Sequence, residues 1–264
     1  MTIPTPGLHL DVPNDTYHHE WEAVSNSQLK RFARSPAHMM APYSPSDSMI
    51  LGSAVHDAVL LPEEFEKRYV RYTDTKTRGA KAYTAWQAAN PGMTGLTPDE
   101  YELIEKIKTA VNLHPVAGQL VTGGVAESSG VWRDEVTQTL CKCRPDYAHP
   151  DKGALIDLKT TRDASAGAFG RDAARYEYHQ QGAFYLDGYS AASGQVYDTF
   201  IFLCVETDDP VSVALYVMTA DQVEKGRALY QSRLDAYAEW VASGRAWDGY
   251  PTEIQELQLP AWAQ

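Results

Sequence analysis

The chain has 264 residues, 44% of them hydrophobic, and a formal net charge of −12 from 23 Lys and Arg against 35 Asp and Glu. This composition suits one large domain or two small ones and excludes a disordered chain. It also excludes a uniformly basic nucleic-acid binder, so any DNA must meet a local basic surface. No run approaches the ~20 apolar residues of a membrane span. The first residues do not read as a signal peptide, and three cysteines, an odd number, point to a reducing compartment. The expected location is cytoplasmic, with no membrane association.

Residues 1–24 read as an extended N-terminal arm with Pro4, Pro6 and Pro13. Ser25-Asn26-Ser27 offers N-cap oxygens to a helix carrying Leu29, Phe32 and Ala33, which Ser35-Pro36 interrupts. Residues 41–48 read as a loop, and Met49 to Leu61 as a buried helix ending at Pro62. A short helical patch is expected around Trp86. Thr97-Pro98-Asp99-Glu100 is a capping box opening a helix to about Leu113. The period then changes to two. Val125 to Arg133 reads as a strand, Thr137 to Arg144 as its hairpin partner, and Ala154 to Lys159 as a central buried strand after a turn at 149–153. Helical segments follow at about 164–174 and 177–189, strands at 196–205 and 211–218, and a closing helix from Ala220 to Ala242. The expected fold class is α/β, a central mixed β-sheet flanked by helices, with one domain over 25–243 and a tail over 244–264.

Asp157 and Lys159 are two apart on the central strand, so they share one face. A hard oxygen ligand beside a cation is what metal-assisted phosphodiester cleavage needs. Asp146 follows Pro145 at the end of the preceding strand. If those two strands pair, both carboxylates reach one point, and two such oxygens plus waters suit Mg²⁺, with Mn²⁺ as the second choice. Lys159 could hold the attacking water, offset charge on the phosphorane or, if desolvated, act as a base; the plainer reading is a residue snorkelling to solvent. His56 could add a neutral imidazole ligand or be an ordinary core histidine. Gln181 and Tyr185 share a helix face with Tyr178 extending the stripe, able to orient a phosphate or simply to pack. Glu127 could support the ligands from nearby. Cys141, Cys143 and Cys204 make a poor metal site and read as buried structural thiols. Basic clusters that could meet DNA are Lys30, Arg31 and Arg34; Lys76, Arg78 and Lys81; and Arg162, Arg171 and Arg175. Each is equally a solvated helix face.

Taken together, His56, Arg144-Pro145-Asp146, Asp157-Leu158-Lys159, Gln181-Gly182-Ala183-Phe184-Tyr185 and the opening Ser25–Pro36 segment resemble the PD-(D/E)xK nuclease superfamily. Within it they are most similar to RecB-type enzymes of the RecE-like phage and prophage exonuclease group, over roughly residues 15–240. The resemblance implies a restriction-endonuclease-like core. It implies a Mg²⁺-dependent exodeoxyribonuclease degrading one strand of linear duplex DNA from its end, 5′ to 3′. His56, Asp146, Asp157 and the Leu158 carbonyl would be the ligands, and Lys159, Gln181, Tyr185 and Asp157 the catalytic set. It further implies a phage or prophage origin, a homo-oligomeric ring and a single-strand annealing protein as partner in recombination. Arg31 and Arg34 would flank the way into the site. Two rivals remain: another RecB-branch nuclease acting on single-stranded or branched DNA, and a non-catalytic DNA-binding or assembly protein on the same fold. An iron–sulfur member of that branch would need a fourth cysteine.

Overall fold

The computed structural model describes residues 2–42, 46–75 and 77–259. In chain order its elements are β1 (Gly7–His9), α1 (Asn26–Phe32), α2 (Pro36–Met40), α3 (Asp47–Leu60), α4 (Pro62–Arg68), β2 (Tyr69–Arg71), α5 (Lys81–Ala89), β3 (Thr94–Leu96), α6 (Pro98–Leu113), α7 (Ala117–Leu120), β4 (Val125–Ala126), β5 (Ser129–Arg133), β6 (Leu140–Cys143), β7 (Tyr147–His149), β8 (Ala154–Thr161), α8 (Ala166–Arg175), α9 (Tyr178–Ser193), β9 (Thr199–Glu206), β10 (Val213–Val217) and α10 (Ala220–Ala242). Local chemistry sets several starts. Ser25, Thr97 and Thr219 each close a reciprocal capping box, with Gln28, Glu100 and Gln222. These satisfy backbone N–H groups that a helix start leaves without partners.

The main sheet is mixed and has five strands in the order β10-β9-β8-β7-β4. Only β8 and β9 run parallel; the other pairs are antiparallel. β8 lies at its centre. Alternation along β8 divides its side chains between two cores. Leu155 joins Trp132, Phe184, Phe200 and Tyr230 on the side of α9 and α10. Ile156 and Leu158 join Val55, Ile104, Ile107 and Leu203 on the side of α3 and α6. Asp157 and Lys159 continue the Leu155 row and therefore face α9. Gly226 lets α10 cross α9 closely, since a Cβ there would fall on the His179 carbonyl oxygen. That crossing fixes the height of α9 above β8.

Three local expectations differ from the structure. The arm is not merely extended: β1 pairs antiparallel with β5, and a wide helical turn at Thr16–Glu20 buries Tyr17. The expected strand from Val125 to Arg133 is broken at Glu127, whose φ is +47°. β4 joins the five-stranded sheet, while β5 pairs with β1 and β6 in a separate three-stranded sheet. The strand expected from Thr137 to Arg144 shortens to β6 and stays in that smaller sheet. The element that brings Asp146 to the central strand is instead β7, in register Tyr147 to Ile156. Cys141, Cys143 and Cys204 are buried free thiols. Among the described residues no helix is long and apolar enough to cross a membrane.

Candidate active site

The site forms where β8 leaves the hydrophobic core between α9 and α3. Gln181, in the first turn of α9, lies over the β8 face that carries Asp157 and Lys159. Its amide nitrogen donates to Asp157 Oδ1 at 2.5 Å, and its carbonyl accepts from Lys159 Nζ at 3.2 Å. Lys159 Nζ stands 2.5 Å from Asp157 Oδ2 and 4.7 Å from the centre of the Tyr178 ring. From the edge of β7, Asp146 Oδ2 accepts the Leu158 backbone N–H at 2.7 Å. That bond ties the second carboxylate to the strand carrying the first. His56, on α3, approaches the same Asp146 oxygen with Nδ1 at 3.3 Å.

Burial and mutual charge dominate the titration of these groups. Burial pushes the Asp157 carboxyl up, and with Asp146 beside it the value reaches about 6 despite Lys159. Burial would also raise Asp146, but His56, with Lys159 and the Leu158 N–H behind it, holds Asp146 below the usual carboxylate range. His56 is the converse: burial alone would lower it, and Asp146 lifts it to about 9. Lys159 likewise resists burial, because Asp157 and Asp146 hold its ammonium charged. Burial raises Tyr185 well above its ordinary value.

His56, Asp146, Tyr185 and Glu127 line a cavity of about 860 Å³. Arg144, Asp57, Arg68, Tyr17 and His18 share its wall, although the sequence assigned them no role in the site. The Glu127 carboxyl is raised by burial and then by Asp146 and Asp57, and it faces Arg144 at 3.9 Å. Arg144 stood inside the Arg-Pro-Asp motif. Asp57 had only its place beside His56 as a signal, and Arg68 and Tyr17 arrive by long-range contacts with no sequence signal.

The basic residues considered for DNA scatter. Lys30 reaches the site's border, donating through Nζ to the Tyr176 carbonyl. Arg31 donates to the His38 and Ala41 carbonyls, and Arg34 Nε to the Tyr250 hydroxyl at 3.1 Å. Arg78 is enclosed by Glu100 and Asp47, at 2.8 and 3.4 Å. Arg162 is free to solvent, 88% exposed, with Asp208 at 3.3 Å. Lys76 lies outside the described residues.

The donor chemistry suits a divalent cation: two carboxylates, a peptide carbonyl at Leu158 and an imidazole. Asp157 Oδ2 is buried, and the Lys159 ammonium 2.5 Å away is its charge partner. Among the described residues no three His, Cys, Asp or Glu side chains form a group that could hold a metal ion as they stand. Lys159 and His56 lie against the two carboxylates and supply the compensating positive charge. His56 is therefore an imidazolium here, not the neutral ligand expected from the sequence, and would have to give up its proton to hold a cation.

A mixed sheet between helices, with an acidic-x-lysine pair on its central strand, defines a domain of the PDDEXK class. The chain belongs to the family described as a PDDEXK-like domain of unknown function, DUF3799, which matches residues 25–259. A crystal structure from Eubacterium rectale, described as a "Putative exonuclease", shares the fold. It is 13% identical with a TM-score of 0.65, over 97% of this chain and 98% of that one. A phage-related exonuclease from Haemophilus somnus 129PT is 14% identical with a TM-score of 0.38, over 84% of this chain and 96% of that one. An alkaline exonuclease from Laribacter hongkongensis is 14% identical with a TM-score of 0.29, over 64% and 88%. No curated protein matches the sequence.

Proposed function

We propose that this chain is a divalent-metal-dependent exodeoxyribonuclease that hydrolyses one strand of linear double-stranded DNA from its end, 5′ to 3′, in phage-type recombination. The observation that carries this reading is the convergence of Asp157, Lys159 and Gln181 with Asp146 and His56 at one point, in a chain of the PDDEXK-like family. His56, Asp146, Asp157 and the Leu158 carbonyl would hold the ion, Mg²⁺ for preference and Mn²⁺ as a substitute. When bound, such an ion supplies positive charge to the scissile phosphate and lowers the pKa of water.

The chain's own groups divide the remaining work. Lys159, kept charged by its acidic neighbours, suits holding the attacking water and offsetting charge on the phosphorane better than removing a proton. Gln181 fixes Asp157 and Lys159 against each other. Tyr178 backs the ammonium with its ring, and Tyr185 offers a neutral phenol hydroxyl to a phosphate oxygen. Glu127 balances Arg144 across the cavity. The net charge of −12 is reconciled with DNA by a homo-oligomeric ring with its basic residues turned inward, working beside a single-strand annealing protein.

The test is digestion of a linear duplex labelled at its 5′ or its 3′ end, with and without Mg²⁺, against closed circular DNA. Mg²⁺-dependent release of the 5′ label from linear DNA alone is expected. Equal cutting of closed circles, or no release at any metal concentration, overturns the reading. Light scattering on the same sample tests the ring.

A further inference from the structure

Beyond Tyr178, on the side away from the catalytic lysine, lies a second aromatic ring with no part in the chemistry described so far. Tyr178, whose ring backs Lys159, is stacked on Tyr176, with centroids 5.8 Å apart and planes 27° apart. Tyr176 is 46% exposed, so the ring bears on Tyr178 and turns its remaining surface to solvent. The Arg175 guanidinium lies 5.5 Å from the centre of the Tyr176 ring, and Lys30 Nζ is bound to the Tyr176 carbonyl. Two cations and a half-exposed aromatic ring therefore stand one ring away from the lysine of the site.

The backbone holds this arrangement in place. Glu177, between the two tyrosines, is left-handed with φ +53°. This conformation is costly for a residue with a Cβ. It turns the end of α8 sharply into α9, and the two rings, two residues apart, stack. Arg233 on α10 grips the Glu177 carboxylate with both guanidinium nitrogens, at 2.6 and 2.7 Å. The platform is built before any ligand arrives.

We propose that Tyr176 is a stacking platform for an unpaired nucleobase of the DNA strand led into the site, with Arg175 and Lys30 against its phosphates. An exposed ring flanked by cations is the pattern by which single strands are held without reading sequence. The inference rests on the nuclease reading above and adds how the strand is delivered: unstacked, one base against Tyr176, its phosphate turned toward Lys159.

The experiment uses the full chain in Ca²⁺ without Mg²⁺, with a short single strand and a frayed-end duplex carrying 2-aminopurine near the 5′ end. Stacking is read as quenching of that base, affinity by fluorescence anisotropy, and hydrolysis separately in Mg²⁺. In Tyr176→Ala, loss of quenching and on the order of tenfold weaker binding are expected, with both restored in Tyr176→Trp. Unchanged melting temperature is expected, since the ring is half exposed. Unaltered quenching and affinity in Tyr176→Ala, with Mg²⁺-dependent hydrolysis intact, overturn the platform and leave the nuclease standing. Quenching that depends on Tyr176 without hydrolysis in the wild type does the reverse. Absence of DNA binding overturns both.

Discussion

Lys159 is poised by three unlike contacts: the Asp157 carboxylate, the Gln181 carbonyl and the Tyr178 ring. Each favours the charged ammonium and fixes its direction. Lys159→Ala is therefore expected to lower hydrolysis by roughly 10²–10⁴-fold, the range of a positioned acid–base group. DNA affinity should change only severalfold. Single-turnover digestion with saturating enzyme checks this, and a near-wild-type rate would remove Lys159 from the chemistry. Asp157→Ala should abolish metal-dependent cutting altogether, and isothermal titration should show weaker Mg²⁺ binding. At this scale the sequence was partly legible. A period of two puts Asp157 and Lys159 on one face, and a spacing of four puts Gln181 in line with Tyr185. Nothing local says that Gln181 bridges the acid and the lysine, because that contact spans α9 and β8. Nor could a cluster of basic letters tell Lys30, which borders the site, from Arg78, which Glu100 and Asp47 consume.

Among elements, α9 decides the site's geometry, and two features hold it. The first is the close crossing with α10. A methyl group at Gly226 would meet the His179 carbonyl oxygen and the Ala183 side chain. Gly226→Ala is expected to cost about 1–3 kcal/mol, the usual penalty of overpacking. It should also lower the rate, because Gln181 moves with the helix; urea melts and steady-state assays on one preparation check both. The second is the Glu177–Arg233 pair. The hydrogen bond from Arg233 is the largest influence on the Glu177 carboxyl and helps hold it below its ordinary 4.5. A carboxylate depressed in the folded state stabilises above its unfolded pKa and loses that contribution as pH falls through the folded one. Wild-type stability should therefore decline below about pH 4.5 through this group. Arg233→Gln should be less stable at pH 7 and flatter in the acid limb, by a modest amount because the pair is partly exposed. Melts at pH 7 and pH 4 check the sign. Element types were largely legible, since capping boxes and apolar periods are local. The break at Glu127 was not. A glutamate does not announce a left-handed residue, and only pairing with distant strands shows that β4 and β5 belong to different sheets. β7 escaped for a simpler reason: three residues are too few to display a period.

On the scale of the whole molecule, the N-terminal arm closes the fold rather than trailing from it. It lies before the stretch matched by the family, residues 25–259, yet Asn14, Tyr17 and His18 form part of the cavity wall. Its hold is electrostatic as much as apolar. Lys142, 2% exposed, donates to the Tyr17 carbonyl at 2.5 Å and the Trp21 carbonyl at 3.0 Å. Arg144 donates to Asn14 Oδ1 at 2.6 Å and the Val12 carbonyl at 3.0 Å, and its guanidinium lies 4.2 Å from the centre of the Tyr17 ring. The proline-rich composition concealed this, because the partners are backbone carbonyls that every sequence possesses. Removing residues 2–18 would strip Lys142 and Arg144 of three of the four acceptors just named. Each hydrogen bond from a charged donor is worth about 1.5–3 kcal/mol. At roughly 2–4 °C per kcal/mol for a chain of this size, the melting temperature should fall by on the order of 10 °C. If calorimetry instead finds the truncated chain melting with the wild type, residues 2–18 are an independent appendage. Tyr17→Phe is the companion measurement: it keeps the carbonyl and the ring face, so its melting temperature should stay close to that of the intact chain.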